Sequence, residues 1–145
     1  ILDLATTVGV GTISREDEKL LHCTQKALSI GIDAAQSGNH TGDIGYAIET
    51  FVKHHRFGIV RELAGHGVGR ELHEDPYVPN FGKEGTGALL KPGMVIAIEP
   101  MLTRGSEDII IENDGSTIAT KDSSRAAHFE HTVLITESGP EILTQ

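Results

Sequence analysis

Glu99 closes the apolar run Met94-Val95-Ile96-Ala97-Ile98, and Glu130 opens the run through Thr132-Val133-Leu134-Ile135. A carboxylate seated in such a run must be paired or bound to a metal, because burying a bare charge costs several kcal/mol. With Asp3 near the start and a glycine-flanked histidine, His66, the chain offers three carboxylates and one imidazole. This oxygen-rich set with one borderline nitrogen suits Mn, Fe(II), Co or Zn, and is wrong for a thiolate zinc site. Three carboxylates also neutralise most of the charge of two divalent ions. Two such ions about 4 Å apart are a recurring device for hydrolysing peptides and phosphates. Hydrolytic metal chemistry is therefore the first expectation.

Each residue has a plainer reading. Asp3 taken singly is a strand-edge or turn carboxylate, and His66 in Gly65-His66-Gly67-Val68-Gly69 is as readily a turn histidine as a ligand. Those glycines make neither the dinucleotide fingerprint nor a P-loop. His73, in Glu71-Leu72-His73-Glu74-Asp75-Pro76, is not part of an H-E-x-x-H helix. Glu99 and Glu130 favour function on their own, given their apolar flanks. His22, His40, His54 and His55 fall on solvated helix faces or loops and receive no role. Cys23 reads as a small core residue beside an apolar helical stripe, with nothing near it to lower its pKa. Ser123 and Ser124 lack the G-x-S-x-G setting of a hydrolase elbow.

The elements that must position these groups follow from periodicity and breakers. Ile1 to Val10 is β-branched and apolar enough for a strand. Ser14 with Asp17 three residues on predicts a helix start, and Leu21, Leu28, Ile32 and Ala35 carry its stripe to about Gln36. Thr41 is expected to cap a second helix bearing Ile44, Ala47, Ile48, Phe51 and Val52. A short strand over residues 58–63 leads to a glycine-rich loop at 65–69. From Met94 the pattern turns to strands, with a hairpin signal at Asn113-Asp114-Gly115 and a pairing of 129–136 with 141–143. Strand, two helices and an antiparallel set of strands give an α+β fold in one domain, residues 1–145.

The 145 residues suffice for a core, and 38% apolar content argues against disorder. Lys and Arg number 12 against 21 Asp and Glu, a net charge of −9, which disfavours DNA and suits a protein that collects cations. One cysteine allows no intrachain disulfide and makes a reducing compartment, the cytoplasm, the expected location. No apolar run is long enough to span a bilayer. A start inside a strand-like run without Met reads as a missing N-terminal portion.

Three stretches then carry a family resemblance. They are Gly65-His66-Gly67-Val68-Gly69-Arg70-Glu71-Leu72-His73-Glu74-Asp75-Pro76, Lys91-Pro92-Gly93-Met94 through Ile98-Glu99-Pro100-Met101, and Phe129-Glu130-His131-Thr132. Together with Asp3-Leu4-Ala5-Thr6-Thr7-Val8-Gly9-Val10-Gly11 they resemble the C-terminal part of type I methionine aminopeptidases, of the pita-bread (creatinase/aminopeptidase) fold. The separations also match: 63 residues from Asp3 to His66, 33 to Glu99 and 31 to Glu130.

The resemblance implies that Asp3 and Glu130 bridge two divalent ions (Co, Mn, Fe or Zn), with His66 and Glu99 completing one of them. It implies that Glu99 shuttles the proton and that His73 contacts substrate near the scissile peptide. The substrate would be the N-terminus of a peptide or nascent chain, which places the enzyme near the ribosome and away from DNA and membranes; a monomer is expected. Two departures stand out. The family's first metal aspartate and a substrate-contacting histidine lie upstream of Asp3, so the chain as it stands is expected to hold a partial site, even a single ion. Ser116 also occupies a position where the family usually has tryptophan beside the methionine pocket. The nearest alternative is the proline-specific branch of the fold, an X-Pro aminopeptidase or dipeptidase. It is less favoured, because Glu99-Pro100-Met101 and Ala127-His128-Phe129-Glu130-His131 match the methionine branch. A catalytically inactive pita-bread binding module is the alternative from another class, although such relatives lose ligands that this chain keeps.

Overall fold

The computed structural model describes residues 1–144. In chain order the elements are β1 (Leu4–Ala5), α1 (Arg15–Ala34), α2 (Thr41–Lys53), β2 (Gly58–Ile59), β3 (Gly65–Gly67), β4 (Glu74–Val78), β5 (Val95–Ile98), β6 (Met101–Thr103), β7 (Ile109–Ile111), β8 (Ile118–Thr120), β9 (Ala126–His128), β10 (Glu130–Thr136) and β11 (Gly139–Ile142). The main sheet runs β1-β10-β5-β3-β4, with β11 sharing the β1 edge of β10, and its pairings are antiparallel. β2-β6-β9 form a second small sheet, and β7-β8 a hairpin. The fold is α+β, as the periodicity predicts.

Ser14 begins α1 as expected: its hydroxyl accepts from the Asp17 N–H at 3.1 Å and donates to the Asp17 carboxylate at 2.8 Å. Leu20, Cys23, Ala27, Leu28 and Ile32 of α1 meet Ile44, Ile48 and Val52 of α2 over Ile96, Ile98, Val133 and Ile135 of the sheet. That alternation fixes the site. Ile96 and Ile98 on β5 and Val133 and Ile135 on β10 face the helices, so residues of the other parity face away from them. Ala97 and Thr132 are cross-strand partners on this opposite face, which Glu99 and Glu130 share by parity.

Several local expectations are corrected. The cap of α2 is His40, whose N–H donates to the Asp43 carboxylate at 2.6 Å. Thr41 instead lies inside the helix start, its hydroxyl accepting from the Ala88 N–H at 3.2 Å. Leu20 rather than Leu21 is the fully buried member of the α1 stripe. Only Leu4–Ala5 of the first ten residues forms a strand: Ala5 already pairs with Glu130, the first residue of β10, and β11 takes the same edge of β10 from Val133 onward. The strand expected at 58–63 is confined to Gly58–Ile59.

The most informative correction is β3. Gly65-His66-Gly67 is not a loop but a strand inserted between β4 and β5. A Cβ at Gly65 would collide with the Ala97 carbonyl, and one at Gly67 with the Asp75 carbonyl. The glycines are thus a close-approach device, and they carry His66 into the middle of the sheet.

Candidate metal centre

Three strand ends and the middle of a fourth strand deliver the four expected ligands to one place. Asp3 is tied to β10 by the Thr132 hydroxyl, which accepts from the Asp3 N–H and donates to the Asp3 carbonyl, both at 2.8 Å. Glu130 begins β10, Glu99 follows β5, and His66 is central in β3. His66 Nε2 lies 3.3 Å from Glu99 Oε1 and 4.0 Å from Asp3 Oδ2. Ligand atoms of His66, Glu99 and Glu130 all fall within 4.8 Å of one another. Ligands of one ion at about 2.1 Å stand at most about 4.2 Å apart, so the set needs only slight contraction to close on a cation.

The chemistry of the donors fits such an ion. His66 Nδ1 lies 3.0 Å from the Gly67 carbonyl. A carbonyl can only accept, so Nδ1 carries the proton and Nε2 presents its lone pair to the carboxylates. Glu130 is buried, and its Oε1 has no hydrogen-bond partner. Burial, with the nearby charges of Glu99 and Asp3 adding to it, pushes the Glu130 carboxyl up to about 7. Among the described residues, no Lys or Arg pairs with Asp3, Glu99 or Glu130; only the imidazole rings of His66 and His128 approach them within 4.0 Å. Three carboxylates gathered without a fixed cation are the arrangement a divalent ion resolves.

Asp3, His66 and His73 form a second group within 4.8 Å, and the two imidazoles meet edge to face at 4.3 Å between ring centres. His73 is exposed at the mouth of the site. A cavity of about 510 Å³ opens beside Glu99, His66 and His73, and its far wall is apolar, from Val60, Leu63, Met101, Ile109 and Ile118. Ile109 and Ile118 come from the β7-β8 hairpin, which thereby supplies one side of the cavity.

All five sequence-predicted residues, Asp3, His66, His73, Glu99 and Glu130, are brought together. Three supporting residues were missed. His128 lines the cavity and has its Nε2 3.2 Å from Glu99 Oε2. Asn80, fully buried, donates to the Glu99 carbonyl at 3.1 Å. Thr132 ties Asp3 in place. Parity was the available signal: Thr132 lies two residues from Glu130 on one strand. Asn80 is a buried amide in a loop, and nothing in the sequence marks it.

The model of metallopeptidase family M24 matches residues 1–137. Methionine aminopeptidase 1 of Bacillus subtilis is 48% identical over 143 residues, covering 99% of this chain and 58% of that protein. A crystal structure of methionine aminopeptidase from Thermotoga maritima superposes with a TM-score of 0.97 at 45% identity, over 99% of this chain and 58% of that one. Prolidase from Pyrococcus furiosus superposes less closely, with a TM-score of 0.78 at 26% identity, over 99% of this chain and 37% of that one. The chain thus spans little more than half the length of the curated relatives it matches.

Proposed function

Since the chain belongs to metallopeptidase family M24, we propose that its protein removes the N-terminal methionine from peptides and nascent chains by metal-assisted hydrolysis. The observation that carries this reading is the convergence of Asp3, His66, Glu99 and Glu130 around a space with no fixed cation. Its closer likeness to methionine aminopeptidases than to prolidase supports the substrate. The family implies divalent ions; oxygen-rich ligation with one imidazole favours Mn, Fe(II), Co or Zn. Bound there, such ions polarise the scissile carbonyl and lower the pKa of a nucleophilic water.

The chain's own residues have separable roles in this reading. Asp3, His66, Glu99 and Glu130 would hold the ions, their oxygens and the His66 nitrogen serving as the donors. Glu99, with a side chain only 12% exposed, accepts the proton of the attacking water and returns it to the leaving amine. His73, exposed beside His66, donates to the substrate carbonyl where negative charge develops. The apolar wall of the cavity gives an uncharged side chain a place free of water. Among the described residues, no helix is long and apolar enough to cross a membrane. We place the protein in the cytoplasm, in keeping with the one buried thiol of this chain, and expect a monomer.

Peptide hydrolysis by the full-length gene product with Mn(II) or Co(II) tests the reading. Methionine release from Met-Ala-Ser, with no cleavage of a peptide having a bulky first residue and proline second, is expected. Cleavage of the second peptide alone would move the protein to the proline-specific branch, and silence on both would favour a binding role.

A further inference from the structure

The site holds one more nitrogen than its candidate ligands account for. His128 ends β9, two residues before Glu130, and its Nε2 lies 3.2 Å from Glu99 Oε2 and 4.0 Å from Glu130 Oε2. That nitrogen is buried and has no hydrogen-bond partner, because the nearby Glu99 oxygen lies off the line an N–H would take. His66 approaches the same carboxylate from its other oxygen, 3.3 Å from Oε1. Glu99 therefore divides its two oxygens between two imidazoles. His66, Glu99 and Glu130 form the compact ligand group, and His128 stands outside it.

The backbone of His128 is fixed independently of its ring. Its N–H donates to the Thr7 hydroxyl at 2.9 Å, and that hydroxyl donates to the His128 carbonyl at 2.8 Å. The ring can turn about its side-chain bonds without moving the strand. An ionised carboxylate only accepts hydrogen bonds, so a bare lone pair on Nε2 would face two acceptors, whereas an N–H would satisfy one of them. Hydrogen bonds of this kind are commonly misaligned before a site is loaded and tighten afterwards.

We propose that His128 is a positioning residue of the metal centre: its Nε2–H donates to Glu99 Oε2 and so holds Oε1 toward His66 and the ion. The inference rests on the metallopeptidase reading above. Partners that orient a ligating carboxylate in this way raise metal affinity by about 10–100-fold.

Calorimetric titration of the metal-free, full-length protein with Mn(II) or Co(II) tests it, using the wild type, His128→Gln, His128→Leu and His128→Ala. The Leu and Ala variants should lose roughly 10–100-fold in affinity. The Gln variant, whose amide can still donate, should keep most of it and leave the Co(II) visible spectrum unchanged. Agreement between Leu and Ala, which differ in bulk, separates loss of the donor from misfolding. Equal affinity in all four proteins overturns the proposal and leaves the metallopeptidase reading standing. A loss in Gln as large as in Leu, with an altered Co(II) spectrum, overturns it in favour of direct ligation. A wild type that binds neither ion overturns both.

Discussion

Two acidic side chains, equally shielded from water, sit in groups of opposite electrostatics. Glu49 on α2 has a side chain 13% exposed, and Glu99 one 12% exposed. Around Glu49 every demand is met: Arg61 donates to it at 2.9 Å and to Glu107 at 3.0 Å, Lys53 lies at 3.4 Å, and the Gly82 N–H reaches it at 3.3 Å. The Arg61 guanidinium also lies 4.5 Å from the centre of the Phe81 ring. Burial pushes the Glu49 carboxyl up, but Arg61, Gly82 and Lys53 outweigh it and hold it below the usual range. Around Glu99, Glu130 and Asp3 there are imidazoles instead, and Glu130 is pushed up to about 7. The first group is a finished structural clamp. The second gathers carboxylates with no lysine or arginine among them, and that difference, more than burial, is what motivates the proposal that they bind a cation.

The strongest way to break the comparison is to remove one charge from the second group. Glu99→Gln should cut peptide turnover by about 10²–10⁴-fold while leaving the circular dichroism spectrum unchanged, since a proton acceptor contributes that much. Normal turnover in this variant would remove Glu99 from the mechanism and sink the assignment. Addition of a divalent ion should have the next largest effect. A divalent ion at a hundred times its dissociation constant should stabilise the full-length protein by about 2.7 kcal/mol, seen as a higher melting temperature that a chelator reverses. An unchanged melting temperature would mean that the acidic group binds no ion.

The second group was legible from the sequence and the first was not, for a physical reason. Glu99 and Glu130 announced themselves because each abuts an apolar run, where an unpaired charge is costly. Asp3 and His66 joined them by donor type, and the resemblance added the matching separations and the role of each residue. Arg61 lies 12 residues from Glu49 and 46 from Glu107 along the chain, and only the tertiary fold brings the three together. The same limit applied to the glycines of β3. Local propensity reads Gly65-His66-Gly67 as a loop, whereas the demand for close backbone approach to β4 and β5 arises only once those strands are paired. Helix starts, set by neighbours, were legible to within a residue; the length of β1, set by where its partner β10 begins and by β11 on the same edge, was not.

The comparison sharpens when one carboxylate of each group is neutralised in the metal-free protein. Glu49→Gln should destabilise the fold by about 1 kcal/mol or more, because it weakens satisfied charge-assisted hydrogen bonds. Glu130→Gln should act in the opposite direction. The Glu130 carboxyl titrates near 4.5 when unfolded and near 7 in the fold, so the folded state binds the extra proton between those values. Its stability contribution is fully present below about pH 4.5 and is lost as pH rises through 7. Glu130→Gln removes that loss, so the variant should gain stability over the wild type at pH 8, and the gain should vanish near pH 4. Saturating Mn(II) should reverse the order at pH 8, since the ion stabilises the wild-type carboxylate and the amide binds it poorly. Urea unfolding at the two pH values, with and without the ion, checks each sign. A Glu130→Gln protein less stable than wild type in the absence of metal would mean that Glu130, like Glu49, is a structural residue with a partner of its own.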